Sequence, residues 1–191
     1  MSELISLIIA AALVNNLVFV QLLGVSYFFG GSGRLNTAIE LALFTGAVFL
    51  ITTAVAQPLL RFVLQPLGLE VFKLVLFLVI SGTTSTILAL VVKEHFPLTY
   101  RSNHLLFHFA GGNSAIMGLL LNNSLHDLSF LQTLAYSLGA AIGFGLVVIG
   151  FSAMSLRLSS ADVPFPFRQA PIMLLSAGIA AMGFLGFAGL V

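Results

Sequence analysis

Two groups of side chains in this sequence could do chemistry in an apolar setting. The first is Asn15, Asn16, Gln21, Ser26, Asn113 and Ser114, polar residues set within long apolar runs. Each is costly in hydrocarbon unless it is hydrogen-bonded. Interhelical hydrogen bonds in membranes return only ~0.6 kcal/mol on average, so stability alone is a weak reason to keep them. They gather at two interrupted stretches, which suggests a shared polar centre. The plainer alternative is that they satisfy backbone groups freed where helices break. The second group is His104 and His108, four apart and so on one face of a helix. That spacing can hold a metal or flank a haem edge. Two imidazoles are an incomplete ligand set, so interfacial or packed histidines are the simpler expectation. His95 and His126 read as loop residues.

Other chemistries are not visible. The chain has no cysteine, which removes disulfides and thiolate metal sites made by this chain alone. Glu40 and Lys73 lie near span ends, where the cost of a charge is lower. No span carries a charge at its centre, so no carboxylate-lined ion path stands out. Neither a nucleophile with its base, a Walker loop nor a dinucleotide fingerprint is present. No catalytic residue, no metal site and no catalysis by the chain alone are expected.

The elements that must position these residues follow from composition. Of 191 residues, 59% are hydrophobic and 7% are charged. Soluble domains carry roughly 25% charged residues. Seven Lys+Arg and six Asp+Glu cannot coat a water-facing surface on this length. A bilayer needs no such coat, and about 20 apolar residues span it as a helix. Long apolar runs rather than short alternating strands favour helices over a barrel. The near-neutral charge argues against nucleic acid as a partner; lipid is the expected surroundings.

Six runs emerge: about 4–29, 37–64, 72–92, 105–121, 128–156 and 170–191. The first lacks a basic region before it and a small-residue cleavage site, and reads as a spanning helix rather than a signal peptide. The loops after the first, third and fifth runs hold Arg34, Lys93, Arg101, Arg157 and Arg168, against Arg61 and Lys73 on the other side. The positive-inside bias therefore puts the odd-numbered loops in the cytoplasm and both termini outside.

There is a weak internal echo. Run one carries Asn15-Asn16 and then Leu23-Gly24-Val25-Ser26. Run four carries Gly111-Gly112-Asn113-Ser114 and then Asn122-Asn123. Each begins a group of three helices, and three is odd, so two such repeats would lie inverted in the membrane. Inverted repeats with glycine-interrupted helices point to a site near the midplane. Close helix packing at small residues is the other reading. The expected fold is thus an all-α integral membrane protein. It has six transmembrane helices in two inverted three-helix repeats (about 1–95 and 96–191), with helices one and four interrupted. The whole chain is one transmembrane domain.

Several segments resemble a known family. Val14-Asn15-Asn16-Leu17-Val18-Phe19-Val20-Gln21-Leu22-Leu23-Gly24 is similar to the opening motif of the RnfA/NqrE family of Rnf and Nqr complexes. So is Gly112-Asn113-Ser114-Ala115-Ile116-Met117-Gly118-Leu119-Leu120-Leu121-Asn122. Ala161-Asp162-Val163-Pro164-Phe165-Pro166-Phe167-Arg168 resembles the family's loop before the last helix, and Met182–Leu190 its close. The likeness covers the whole length and is closer on the RnfA side, through Asn15-Asn16 and that loop.

The resemblance implies a component of a bacterial inner-membrane complex. Such a complex moves electrons between NADH and ferredoxin or a quinone, coupled to sodium or proton transport. It implies pairing with a paralogous six-helix protein of the RnfE type, among other Rnf-type subunits. It also implies a [2Fe-2S] cluster held by one cysteine from each half-helix of the pair. Here Ser26 and Ser114 stand at those cysteine positions. Serine oxygen is hard and weakly acidic, whereas such clusters are held by thiolates. The expectation is that the chain alone carries no redox cofactor and depends on its paralogue. A cluster shared with the paralogue is the other outcome. Two further readings are a cluster-less scaffold paralogue within such a complex, and a small inverted-repeat secondary transporter.

Overall fold

The computed structural model describes residues 2–25, 34–126 and 128–187, and every regular element among them is helical. Helix α1 (Ser2–Ile9) widens into a π turn at Ala10–Val14. Helix α2 (Leu35–Leu59) widens into a π turn at Leu60–Leu64. Helix α3 (Lys73–His95) follows a 3-10 turn at Glu70–Phe72. Helices α4 (Pro97–Phe109) and α5 (Ser114–Leu125) are one span broken by a 3-10 turn at Ala110–Gly112. Helices α6 (Phe130–Ser159) and α7 (Ala170–Leu185) complete the set.

Four stretches are long and apolar enough to cross a bilayer: Leu35–Leu64, Glu70–His95, Pro97–Leu125 and Phe130–Ser159. Two apolar helices are shorter, Glu3–Val14 and Ala170–Leu185. The chain is a multi-pass, all-α integral membrane protein. Two span limits differ from the sequence reading. The fourth span starts at Pro97 rather than near Leu105, because Pro97 occupies the first helical turn, where its missing N–H costs nothing. The first span stops being helical at Val14, far short of residue 29, because Asn15 and Asn16 close it.

Local chemistry explains the ends. Pro58 sits inside α2 and offers no N–H to the turn before it. The wider π turn follows at once, and the Leu60 N–H reaches both Ala56 O and Gln57 O. A capping box opens α6: Gln132 N–H donates to Ser129 Oγ (3.3 Å), and Ser129 N–H donates to Gln132 Oε1 (2.9 Å).

Side-chain contacts fix the helix directions. Glu40, near the start of α2, accepts from Thr99 and Asn103, near the start of α4, so these helices run parallel. Arg61, at the end of α2, donates to Leu128 O, just before α6, so α2 and α6 run antiparallel. Ile8 and Ala12 lie against Gly139 and Gly143 in the same order, so α1 runs parallel to α6. The two interrupted spans therefore run in opposite directions.

Helices α2 and α6 form the central pair, with Phe49 and Phe144 rings 5.5 Å apart between them. Phe44 on α2 stacks on Phe107 of α4 at 4.4 Å. Glycine lets α1 approach α6. A Cβ on Gly139 would collide with Ile8 O, and one on Gly143 with Ala12 O. Residues four apart with small side chains are how helices meet closely in lipid. Helix α7 has no fully buried residue.

Candidate functional site

The first break is built by Asn16. Its side chain is fully buried and turns back on its own segment. Nδ2 donates to Ala12 O at 2.8 Å, while Oδ1 accepts from Val18 N–H (2.9 Å) and Phe19 N–H (3.3 Å). One amide thus satisfies a carbonyl at the helix end and two amides beyond it. Asn15 N–H closes the π turn onto Ala10 O, and Asn15 itself is exposed. Past this point the chain is irregular. Leu23 N–H bonds Leu17 O, Leu22 has φ +55°, and Gly24 has φ +77°.

The second break is built by Asn113. It is 3% exposed and caps α5, its Oδ1 accepting from Ala115 N–H at 3.0 Å. Its Nδ2 is buried and has no partner among the described residues. Two carbonyls at this break accept hydroxyls from α3, and one of them, Phe107 O, also accepts the Ala110 N–H. Ser85 Oγ donates to Phe107 O (2.6 Å), and Ser81 Oγ donates to Gly111 O (2.7 Å). Backbone meets backbone here: a Cβ on Gly111 would lie 2.7 Å from both Gly82 Cα and Ser81 O. Sequence reasoning missed Ser81, Gly82 and Ser85. The signal was the run Ser81-Gly82-Thr83-Thr84-Ser85-Thr86 in an otherwise apolar helix.

The two breaks touch. Gly24 N–H donates to Ser114 Oγ at 2.9 Å. A Cβ on Gly24 would meet Phe144 Cε2 at 2.8 Å, Ala115 Cβ at 3.1 Å and Asn113 Oδ1 at 3.2 Å. The Leu23 side chain lies over Gly118, where a Cβ would collide with Leu23 Cδ1 and lie 3.9 Å from Gln21 Oε1. So the fold brings Asn113 and Ser114 to the Gly24 segment, with Gln21 alongside and exposed. Asn16 serves its own turn, and Asn15 faces outward. Ser26 lies outside the described residues.

A second polar chain crosses the bundle from the last turn of α5. Asn123 Nδ2 donates to Ser137 Oγ (3.1 Å), and Ser137 Oγ donates to Thr53 Oγ1 (3.0 Å). Asn122 Nδ2 donates to Tyr136 OH at 2.7 Å.

His104 and His108 are exposed on one face of α4. His108 Nδ1 lies 2.8 Å from His104 O, and the Tyr100 ring is 6.2 and 6.1 Å from the two imidazoles. No group of three or more His, Cys, Asp or Glu side chains is placed to hold a metal among the described residues.

An iron–sulfur cluster asks for thiolates. The described part of the joint offers the Ser114 hydroxyl, which already accepts the Gly24 N–H, and the chain has no cysteine. This donor set does not fit such a cluster.

Comparison with known proteins finds similarity along almost the whole chain. The family model described as "Rnf-Nqr subunit, membrane protein" matches residues 4–191. The chain is 38% identical to the A-type subunit of the ion-translocating oxidoreductase complex of Pseudoalteromonas atlantica, over 100% of this chain and 99% of that protein. It is 37% identical to the protein of the same description from Vibrio campbellii, over the full length of both. A third, from Alkalilimnicola ehrlichii, is 37% identical over 100% of this chain and 99% of its own length. A match of this extent, on a multi-pass chain with two broken spans meeting at one joint, means that the chain belongs to the Rnf-Nqr family of membrane protein subunits.

Proposed function

We propose that this chain is the A-type membrane component of an ion-translocating oxidoreductase complex of the Rnf type. The observation that carries the reading is the unbroken similarity to relatives described as the A-type subunits of such complexes. The geometry agrees with it. Two spans of opposite direction each break, and their broken ends are joined by the Gly24–Ser114 hydrogen bond. An antiparallel pair of broken spans is what two inverted three-helix repeats would produce.

The complex would link NADH with ferredoxin or a quinone and move sodium or protons across a bacterial inner membrane. Both termini would lie on the periplasmic side, following the positive-inside bias. The nearest partner would be a paralogous six-helix protein of the RnfE type. Helix α7, with no fully buried residue, and the outer face of α3 supply apolar surface for such neighbours and for lipid.

One observation favours a narrower role within the complex. Ser114 is a hydrogen-bonded hydroxyl where the resemblance puts a thiolate ligand. On this reading the chain contributes the fold and the joint but no cluster ligand. A tagged copy of the chain, purified in mild detergent from its own cells, tests the main proposal. Co-purification of the other oxidoreductase subunits in fixed stoichiometry is expected. A chain that purifies alone and carries a solute across liposomes would replace the proposal with the transporter reading.

A further inference from the structure

Glu40 is an acidic residue to which the sequence assigns no role. It lies five residues into α2, and α2 with its π extension covers 30 residues, Leu35–Leu64. At ~1.5 Å per residue that is about 45 Å, against about 30 Å of hydrocarbon. A centred helix therefore puts Glu40 about 7 to 8 Å from its end, at the hydrocarbon boundary. The side chain is half-buried between α2 and α4. Thr99 Oγ1 donates to Oε1 at 3.2 Å, and Asn103 Nδ2 donates to Oε2 at 2.5 Å. Asn103 is 3% exposed, so this is an interior face of the bundle.

Both donors are uncharged. The charged and titratable groups at this end of the bundle are Arg34 at the start of α2, Lys93, Glu94 and His95 ending α3, Tyr100, Arg101, His104 and His108 on α4, and Arg157, Asp162 and Arg168 on and after α6. All but the half-buried Tyr100 are exposed, and none forms an ion pair or hydrogen bond with Glu40 among the described residues. Nothing on the described chain neutralises a half-buried carboxylate at a membrane boundary. A cation or a proton would balance its charge.

We infer that Glu40, Thr99 and Asn103 form a binding site for one monovalent cation, a proton or a sodium ion. The two oxygens of Glu40, the Thr99 hydroxyl oxygen and the Asn103 amide, once turned to present Oδ1, make a set of hard oxygen ligands. One carboxylate among neutral oxygens balances a single positive charge, which favours a monovalent over a divalent ion. Without a cation between them, Thr99 and Asn103 can each donate to the carboxylate, the arrangement of their hydrogen bonds to Glu40. The inference deepens the ion-translocation proposal and rests on it for its purpose, though not for its chemistry.

Dicyclohexylcarbodiimide, which attacks protonated carboxyls in apolar surroundings, tests it on the intact detergent-purified complex. The readout is mass-spectrometric adduct formation at Glu40, followed against pH and against sodium with potassium as control. Expected is modification that slows several-fold as pH rises. Sodium-specific protection identifies a sodium site, and its absence a proton site. Thr99→Val, which keeps the shape, should change the modification rate or weaken sodium protection, and Glu40→Gln should abolish the adduct. No adduct at any pH, or a rate that neither pH nor sodium alters, overturns the inference. If that occurs in a complex that still pumps ions, only the site falls. An ion-responsive Glu40 in a complex that pumps nothing supports the site and removes the function proposed above.

Discussion

Gly24 and Ser114, 90 residues apart in the chain, are joined by a 2.9 Å hydrogen bond from the Gly24 N–H to Ser114 Oγ. Ser114 opens the helix that follows its break, Gly24 lies ten residues past the π turn that ends at Val14, and the two spans run in opposite directions. The contact is possible because Gly24 has φ +77° and no side chain. The joint is therefore held by backbone shape as much as by the hydroxyl.

That shape gives a first prediction. Gly24→Ala forces an unfavourable φ and drives a methyl onto Phe144 and Ala115. Either effect costs about 1–3 kcal/mol. The purified complex should lose several degrees of Tm and part of its activity. Unchanged thermal stability would show that the joint is looser than described.

The α3 contact gives a second. Ser81→Ala leaves Gly111 O without its side-chain donor, and Ser85→Ala removes one of the two donors to Phe107 O, the other being the Ala110 N–H. Each should cost roughly 1–3 kcal/mol. Gly111→Ala should cost more than either, since it sets backbone against backbone. Thermal unfolding of the three variants gives the order, and a harmless Gly111→Ala would contradict the close approach to Gly82.

Asn113 gives a third. Asn113→Ala removes the α5 cap and should cost about 1 kcal/mol, whereas Asn113→Ser keeps a capping oxygen and should recover most of it. Equal losses in Tm for both variants would mean that the cap is not what the residue supplies.

Much of this was legible in the residues. Apolar runs gave the spans because lipid demands internally bonded helices. Gly111-Gly112-Asn113-Ser114 marked the second break, since glycine weakens a helix and Asn caps the next one. What was not legible depends on partners distant in the chain. Ser81 meets Gly111, and Ser85 meets Phe107, only once α3 folds against α4. Glu40 looked like an ordinary span-end carboxylate until α4 brought Thr99 and Asn103 to it. The polar run Tyr100–His104 hid the start of the fourth span, although Pro97 is a recognisable first-turn residue. Asn15 and Asn16 read as one pair, yet one faces outward and the other is sealed inside its own turn.

The donor set at the joint gives a fourth prediction. The parent complex should carry no [2Fe-2S] paramagnetic signal at this chain, because Ser114 offers a hydroxyl and the chain lacks cysteine. Ser26→Cys with Ser114→Cys should raise iron content when the paralogue is present. A stoichiometric signal in the parent, measured anaerobically, would sink the argument.

The most direct test of the account is redox-driven ion uptake by inverted membrane vesicles, compared between cells that lack this chain and cells in which it is restored. Uptake should start on addition of reductant, disappear without the chain, and return with it. Uptake that is the same in both membranes, with the remaining oxidoreductase subunits assembled, would contradict it.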